Sequence, residues 1–201
     1  EQAVDADSME LLIKSRRSVR RYQPVDLEPE VIERLFEVAS NAPTARNLRP
    51  LLFTVVDKRE KLAEIRGEVM IALGKMARTT GFPEGREYFA NFVELWEEKQ
   101  VDVLFRNAPH MVVVSTPSGA ITPYIDSAIA LSYFEMFAQT LGVGTLWCGL
   151  VRWAIDMIPE IKKFLGIPTD HLVAYVMLFG KPAEHYARTV QRGPANVNVV
   201  R

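Results

Sequence analysis

Residues 122–141 read TPYIDSAIALSYFEMFAQTL, and this stretch has hardly any polar face when it is placed on a helix. A helix that is apolar nearly all round must be buried on all sides. In a chain of 201 residues this predicts a central helix, part of which is covered by a second subunit. Gly142 follows directly and is predicted to end the helix, because glycine readily adopts the left-handed conformation of a helix terminus.

The segments on either side of this helix are predicted to form shorter helices and apolar strands. Helices are predicted at 8–15, 29–39, 61–78 and 159–165, and strands at 51–56, 111–115, 145–148 and 171–179. We expect a single domain over residues 8–201, with the tail from 181 able to pair as an extended arm. Residues 1–7 lack both a starting Met and the pattern of a signal peptide, so we expect a disordered or artificially trimmed N-terminus.

Composition excludes several classes of protein. The 48% hydrophobic and 24% charged residues are typical of globular domains, which excludes a disordered or fibrous chain. A formal net charge of −1 argues against a general binder of nucleic acid or membrane surfaces. Cys148 is the single cysteine, and the three histidines lie far apart, so we expect no internal disulfide and no metal site. These features favour a reducing, cytoplasmic setting.

The segment 79–107 separates the first two predicted strands and is rich in aromatic residues. Tyr88, Phe89, Phe92 and Trp96 follow one another at helical spacing. Long excursions in compact domains are often functional, so this segment is a candidate lid whose aromatic side chains would line a substrate pocket. The alternative is that the same side chains only cover the core.

A basic motif, Arg16-Arg17-Ser18-x-Arg20, follows the first predicted helix. Arginine offers charged, bidentate donors, so three guanidinium groups and a hydroxyl so close together form a suitable cradle for a phosphate dianion. A solvated basic face is the alternative interpretation of this motif.

Two further motifs are suited to a flat ligand. The loop Ala42-Pro43-Thr44-x-x-Asn47-x-x-Pro50 supplies a hydroxyl and an amide that could hydrogen-bond the edge of a planar heterocycle. In Leu141-Gly142-x-Gly144-x-x-Trp147-Cys148-Gly149, small residues let the backbone approach such a ligand, and Trp147 could stack on it. Turn formation explains the first motif equally well, and an ordinary core tryptophan explains the second.

Taken together and in this order, the motifs resemble those of the FMN-dependent nitroreductase family. Further matches are Ala-Pro at 108–109, Asp126 at the start of the apolar helix and Gly-x-Pro at 180–182, so the resemblance covers about residues 8–192. The likeness is greatest to the branch whose members often carry an N-terminal ferredoxin domain.

The resemblance implies an α+β, three-layer fold with a central mixed sheet of four or five strands flanked by helices. It also implies an obligate homodimer that binds two FMN molecules at its interface. Arg16, Arg17, Ser18 and Arg20 would surround the FMN phosphate, with Arg192 closing this site from the C-terminal side. Pro43, Thr44 and Asn47 would come from the partner chain, and Trp147, Cys148 and Gly149 would line the isoalloxazine ring.

The implied activity is ping-pong electron transfer from NAD(P)H through FMN to an electron-poor acceptor, such as a nitroaromatic, a quinone or an enone. Since the flavin carries this chemistry, no catalytic side chain is expected, and ferredoxin is an alternative donor. Residues 49–51 depart from the family by reading Arg-Pro-Leu where Gln-Pro-Trp is frequent. The alternatives are reductive dehalogenation or flavin fragmentation in the same fold, flavin binding without turnover, and a basic interaction module.

Overall fold

A four-stranded antiparallel sheet forms the centre of the protein, whose computed structural model describes residues 4–190 and 192–201. The strands are β1 (Leu52–Val56), β2 (His110–Pro117), β3 (Gly144–Trp147) and β4 (His171–Gly180), in the spatial order β1-β2-β4-β3. All three ladders are antiparallel, which corrects the expected mixed sheet. Within the described residues, parallel pairing is limited to an isolated bridge between Ser18 and Thr145 of β3.

Helices surround this sheet. They are α1 (Ala6–Ser15), α2 (Pro29–Ala39), α3 (Arg59–Arg78), α4 (Phe89–Lys99), α5 (Pro123–Thr140), α6 (Gly149–Met157) and α7 (Pro159–Phe164). The sequence did not predict α6, because only Gly149 separates its apolar residues from the apolar run of β3. No helix among the described residues is both long and apolar enough to cross a membrane.

The N-terminal residues are more ordered than the sequence predicts. Helix α1 begins at Ala6, and the Asp5 carboxylate accepts a hydrogen bond from the backbone N–H of Ser8 at 2.9 Å. Such a cap satisfies one of the free N–H groups of the first turn. The expectation of disorder is therefore corrected for residues 5–7, whereas residues 1–3 lie outside the described residues.

Helices cover both faces of the sheet, since strand β2 has apolar side chains on both faces that must be buried. Met111 and Val113 belong to the hydrophobic cluster formed with α3, α4, α6 and α7, whereas Val112 and Val114 belong to the cluster formed with α2 and α5. Successive side chains of a strand point to opposite faces, so the two clusters lie on opposite sides of the sheet. This confirms the predicted three-layer α+β fold.

Helix α5 is buried on one side only in the single chain. Leu131 and Phe134 are fully buried against the sheet, whereas Tyr124, Ile125 and Tyr133 are 57%, 61% and 42% exposed. The helix therefore presents an apolar face to solvent. This face is the surface that the sequence predicts to be covered by a second subunit.

The insertion at 79–107 packs into the helical layer that contains α3. Its helix α4 lies against α3, and Phe89 is fully buried in the same cluster as Leu73 and Phe105. Phe89 is therefore a core residue and not the wall of an open pocket, which corrects its predicted role. The rings of Tyr88, Phe92 and Trp96 are partly exposed and pack against the same cluster.

A buried ion pair closes the C-terminal end of the insertion. The Asp102 side chain is 1% exposed and accepts a hydrogen bond from Arg66 Nη1 at 3.2 Å. The same carboxylate accepts the backbone N–H groups of Phe105 and Asn107, at 2.8 Å each. Because a buried carboxylate is costly unless it is paired, these contacts fix the course of the 102–107 loop.

We predict that Phe89→Ala lowers the free energy of unfolding by about 3–5 kcal/mol, because a fully buried ring leaves a cavity behind. Phe92→Ala is the matched control in the same helix, and it should cost clearly less because its ring is partly exposed. Urea denaturation of both variants measures the two losses. Equal losses would contradict the assignment of Phe89 to the core.

Candidate functional site

Arg16 and Arg192 line one open cavity, although they come from opposite ends of the chain. The cavity has a volume of about 620 Å³, and Lys14 lies on it together with Ile13, Val190 and Gly193. Lys14 also forms an ion pair with Glu10 on α1. The described lining residues include three cationic side chains, of which Lys14 and Arg16 are also paired with Glu10 and Glu135, so the cavity favours an anionic ligand.

Arg17 points away from this cavity. Its Nη2 donates a hydrogen bond to the carbonyl oxygen of Arg188 at 2.6 Å, and its guanidinium lies 5.3 Å from the centroid of the Tyr186 ring. Its Nε is buried without a hydrogen-bond partner among the described residues. Arg17 instead lines a second cavity of about 210 Å³ together with Tyr186 and Thr145. The predicted cradle is therefore split between two cavities.

Backbone contacts hold the middle of the basic motif against β3. The backbone N–H of Val19 donates to the carbonyl oxygen of Thr145 at 2.9 Å. Gly144 permits this approach, because a Cβ added there would lie 2.6 Å from Val19 Cγ2. Arg20 is exposed, and its Nη1 lies 3.4 Å from the carbonyl oxygen of Ser18. Within the single chain, neither Ser18 nor Arg20 lines the cavity of Arg16 and Arg192.

Trp147 is held in place by a buried carboxylate on α5. Its Nε1–H donates to Glu135 Oε2 at 2.9 Å, and its ring meets the ring of Tyr175 edge-on, with centroids 5.3 Å apart. Glu135 Oε1 accepts hydrogen bonds from Arg16 Nη1 at 3.2 Å and from Thr145 Oγ1 at 3.0 Å. One carboxylate thus joins the N-terminal basic motif to the predicted ring-binding motif.

Cys148 and Gly149 form the junction between β3 and α6. The Cys148 thiol is buried and donates to the carbonyl oxygen of Leu104 at 3.3 Å, and burial raises its pKa to about 11. The thiol is therefore neutral at ordinary pH and belongs to the core. The backbone N–H of Cys148 donates to the carbonyl oxygen of Val176 at 2.9 Å, and its carbonyl oxygen accepts the N–H of Arg152 at 3.2 Å, so in the single chain Cys148 is used by the fold and not by the predicted ring site. Gly149 begins α6, and no side chain caps this helix terminus. The free N–H groups of its first turn can donate to a ligand.

The loop at 42–50 has an unusual backbone. Arg46, Asn47 and Arg49 have φ angles of 52°, 56° and 52°, in the left-handed region that non-glycine residues rarely adopt. Thr44 Oγ1 accepts the backbone N–H of Arg49 at 2.9 Å. The backbone N–H of Ala45 lies 3.3 Å from both carboxylate oxygens of Asp126, at the start of α5. These contacts fix a loop in which Pro43 and Asn47 are exposed to solvent.

The residues present fit the FMN that the motifs imply. A phosphate dianion needs converging cations, and Arg16, Arg192 and Lys14 supply them at one cavity. A flat ring needs an apolar wall and backbone donors, which Trp147 and the uncapped start of α6 supply.

Comparison with known proteins then identifies the family. The model of the nitroreductase family matches residues 13–181. This chain belongs to the nitroreductase family. A relative from Methanothermobacter thermautotrophicus, named as an NADH dehydrogenase/NAD(P)H nitroreductase, is 28% identical over 178 residues, which cover 86% of this chain and 76% of the relative.

Solved structures of similar fold include two nitroreductases with ligands. One, from Bacteroides fragilis with bound FMN, has a TM-score of 0.77 and 22% identity, and the match covers 96% of this chain and 98% of that one. The other is an FMN-dependent enzyme from Mycobacterium smegmatis in complex with NADPH. It has a TM-score of 0.66 and 24% identity, and the match covers 89% of this chain and 90% of that one. At these identities the likeness establishes the fold of this nitroreductase-family protein.

Within the described chain, the sheet separates the aromatic residues of α4 from Trp147, although Cys148 belongs to the same hydrophobic cluster as these aromatic residues. Phe92 and Trp96 pack on the sheet face that contacts α3, whereas Trp147 packs against the cluster on the opposite face. Sequence reasoning also missed Lys14 and Glu135. The signal for Glu135 was present, since it is a carboxylate within an otherwise apolar stretch of α5.

Proposed function

We propose that this protein is an FMN-dependent oxidoreductase that passes electrons from NAD(P)H to an electron-poor acceptor of the nitroaromatic, quinone or enone type. The observation that carries the proposal is the cavity at which Arg16, Arg192 and Lys14 converge, linked through Glu135 to Trp147. The family of the chain and the FMN bound by the Bacteroides fragilis neighbour support the same conclusion.

In this proposal the chain binds and orients the cofactor, and no side chain acts as an acid or a base. Arg16 and Arg192 hold the phosphate, with Lys14 adding positive charge. Trp147 and the first backbone N–H groups of α6, at Gly149, border the ring. When bound, FMN supplies the redox chemistry, because its ring takes up two electrons from NAD(P)H and releases them to the acceptor.

The second part of the proposal is a homodimer in which each flavin contacts both chains. Its support is the exposed apolar face of α5, formed by Tyr124, Ile125 and Tyr133. The fixed but solvent-exposed loop at 42–50 is a second support, because Pro43, Thr44 and Asn47 would reach the partner's flavin from there.

NAD(P)H is the proposed electron donor. The support comes from the Mycobacterium smegmatis neighbour, which was solved in complex with NADPH, and from relatives named as NADPH-dependent oxidoreductases. Ferredoxin as an alternative donor and a cytoplasmic location stay predictions of the sequence.

The function is tested with the full chain after addition of FMN and removal of excess cofactor. We expect a yellow protein whose flavin is bleached by NADH or NADPH without oxygen and recovers its colour when a quinone or nitroaromatic is added. Stopped-flow absorbance follows both half-reactions. Bound flavin that neither nucleotide reduces would favour a flavin-binding protein without this activity, and a protein that binds no flavin would contradict the proposal.

We predict that Arg16→Ala and Arg192→Ala each weaken FMN binding about ten- to a hundredfold, because each removes a charge-assisted contact to the phosphate. Arg17→Ala is the matched control in the same motif, and it should have a smaller effect because Arg17 lines the other cavity. Fluorescence titration of each apoprotein variant with FMN measures its dissociation constant. A larger loss of FMN affinity for Arg17→Ala than for Arg16→Ala would mean that the phosphate lies at the cavity of Arg17 and not at that of Arg16.

We predict that Ile125→Glu converts the dimer into monomers and weakens FMN binding, because it places a charge in the apolar face of α5. Ile71→Glu is the control, since Ile71 on α3 is 67% exposed against 61% for Ile125 but lies outside this face. Sedimentation velocity at micromolar concentration measures the mass of each variant. A wild-type protein that is monomeric with FMN bound would contradict the shared site.

A further inference from the structure

Glu135 is a buried carboxylate that the family motifs do not include. Its side chain is 8% exposed, and it follows Phe134, which is fully buried against the sheet. An apolar side chain at this position would avoid the cost of taking a charge out of water. The charged carboxylate is therefore stable only if hydrogen-bond donors offset this cost. These donors come from two segments of the candidate site.

The three donors to Glu135 fill both of its oxygens. Oε1 accepts from Arg16 Nη1 and Thr145 Oγ1, at 3.2 Å and 3.0 Å, and Oε2 accepts from Trp147 Nε1 at 2.9 Å. Thr145 also accepts the backbone N–H of Val19 at its carbonyl oxygen. The carboxylate thus holds the basic motif and the Trp147 motif in one arrangement.

We propose that Glu135 is a positioning residue that orients the Arg16 guanidinium and the Trp147 indole together, so that the phosphate end and the ring end of the flavin site keep a fixed spacing. This inference rests on the proposed function and goes beyond it, because it assigns a role to a residue that does not line either cavity of the basic motif. Arg16 keeps its remaining N–H donors for the phosphate. The Trp147 indole is held on one side by its hydrogen bond to Glu135 and on the other side by its contact with the Tyr175 ring. These two contacts keep the indole oriented toward the proposed position of the flavin ring.

The spacing depends on the charge of Glu135 and on its two acceptor oxygens. Glu135→Gln keeps the shape of the side chain but leaves one acceptor oxygen for three donors, and it removes the counter-charge of Arg16. Hydrogen bonds to a carboxylate are stronger than those to a neutral amide. The variant should therefore release Trp147, Arg16 or both from their positions.

The first measurement uses the indole N–H resonances of the apoprotein, which has three tryptophans. Trp147→Phe identifies the Trp147 signal, and Glu135→Gln should move that signal upfield because its hydrogen bond weakens. Asp102→Asn is the matched control, since Asp102 is a buried carboxylate with an arginine partner at the same 3.2 Å. It should leave the Trp147 signal in place. An unchanged signal in Glu135→Gln would overturn the proposal.

A second variant, Arg16→Gln, tests the same link between the two segments if Glu135→Gln does not fold. Arg16→Gln leaves the carboxylate intact and removes its charged partner on Oε1. If Glu135 joins the two segments, the Trp147 indole signal should shift in Arg16→Gln, because the remaining donors redistribute around the carboxylate. Absence of any shift would mean that Arg16 and Trp147 are held independently, which contradicts the proposal.

The last measurement is the affinity for FMN in a double-mutant cycle. Glu135→Gln should weaken binding about tenfold in the wild-type background, the loss expected for a charge-assisted hydrogen bond. In the Trp147→Phe background its effect should be clearly smaller, because part of it acts through Trp147. Equal effects in both backgrounds would indicate a general loss of stability and would overturn the proposal. If the wild-type protein binds no FMN, the proposed function fails, whereas the indole measurement still decides the role of Glu135.

Discussion

The pairing of β2 with β4 is the contact on which the rest of this structure depends. Both are central strands, and their register places Val113 opposite Val176 and Met111 opposite Leu178, all fully buried. Because both strands bury residues on their two faces, the sheet is stable only between two layers of helices. The helical layer of α2 and α5 and that of α3, α4, α6 and α7 meet this requirement.

Helix α5 connects the sheet with the candidate site. Its position on the sheet buries two carboxylates, Asp126 and Glu135, and a buried carboxylate must be met by hydrogen-bond donors. Asp126 is met by the backbone of Ala45, and Glu135 by the side chains of Arg16 and Trp147. The helix that supports the fold therefore also fixes three segments that are distant in sequence.

The opposite face of α5 has a different role. Its apolar side chains remain exposed in the single chain, next to a loop whose strained backbone is held by hydrogen bonds at both Thr44 and Ala45. A surface of this kind is costly in water. In the proposed homodimer, an interface between two copies would bury this exposed face and place the loop at 42–50 beside the flavin of the other chain.

Sequence alone determined the features that depend on local pattern and on motifs. The apolar stretch at 122–141 predicted the central helix, the four short apolar runs predicted the four strands, and the ordered motifs led to the nitroreductase family. Only the tertiary structure decided which members of a motif converge. Arg16 and Arg17 are adjacent in sequence but line different cavities, because the chain leaves α1 in an extended conformation and its successive side chains point to opposite sides. Glu135 shows the same limit, since its partners Arg16 and Trp147 are distant in sequence and lie beside α5 only in the folded chain, in which β3 pairs with β4.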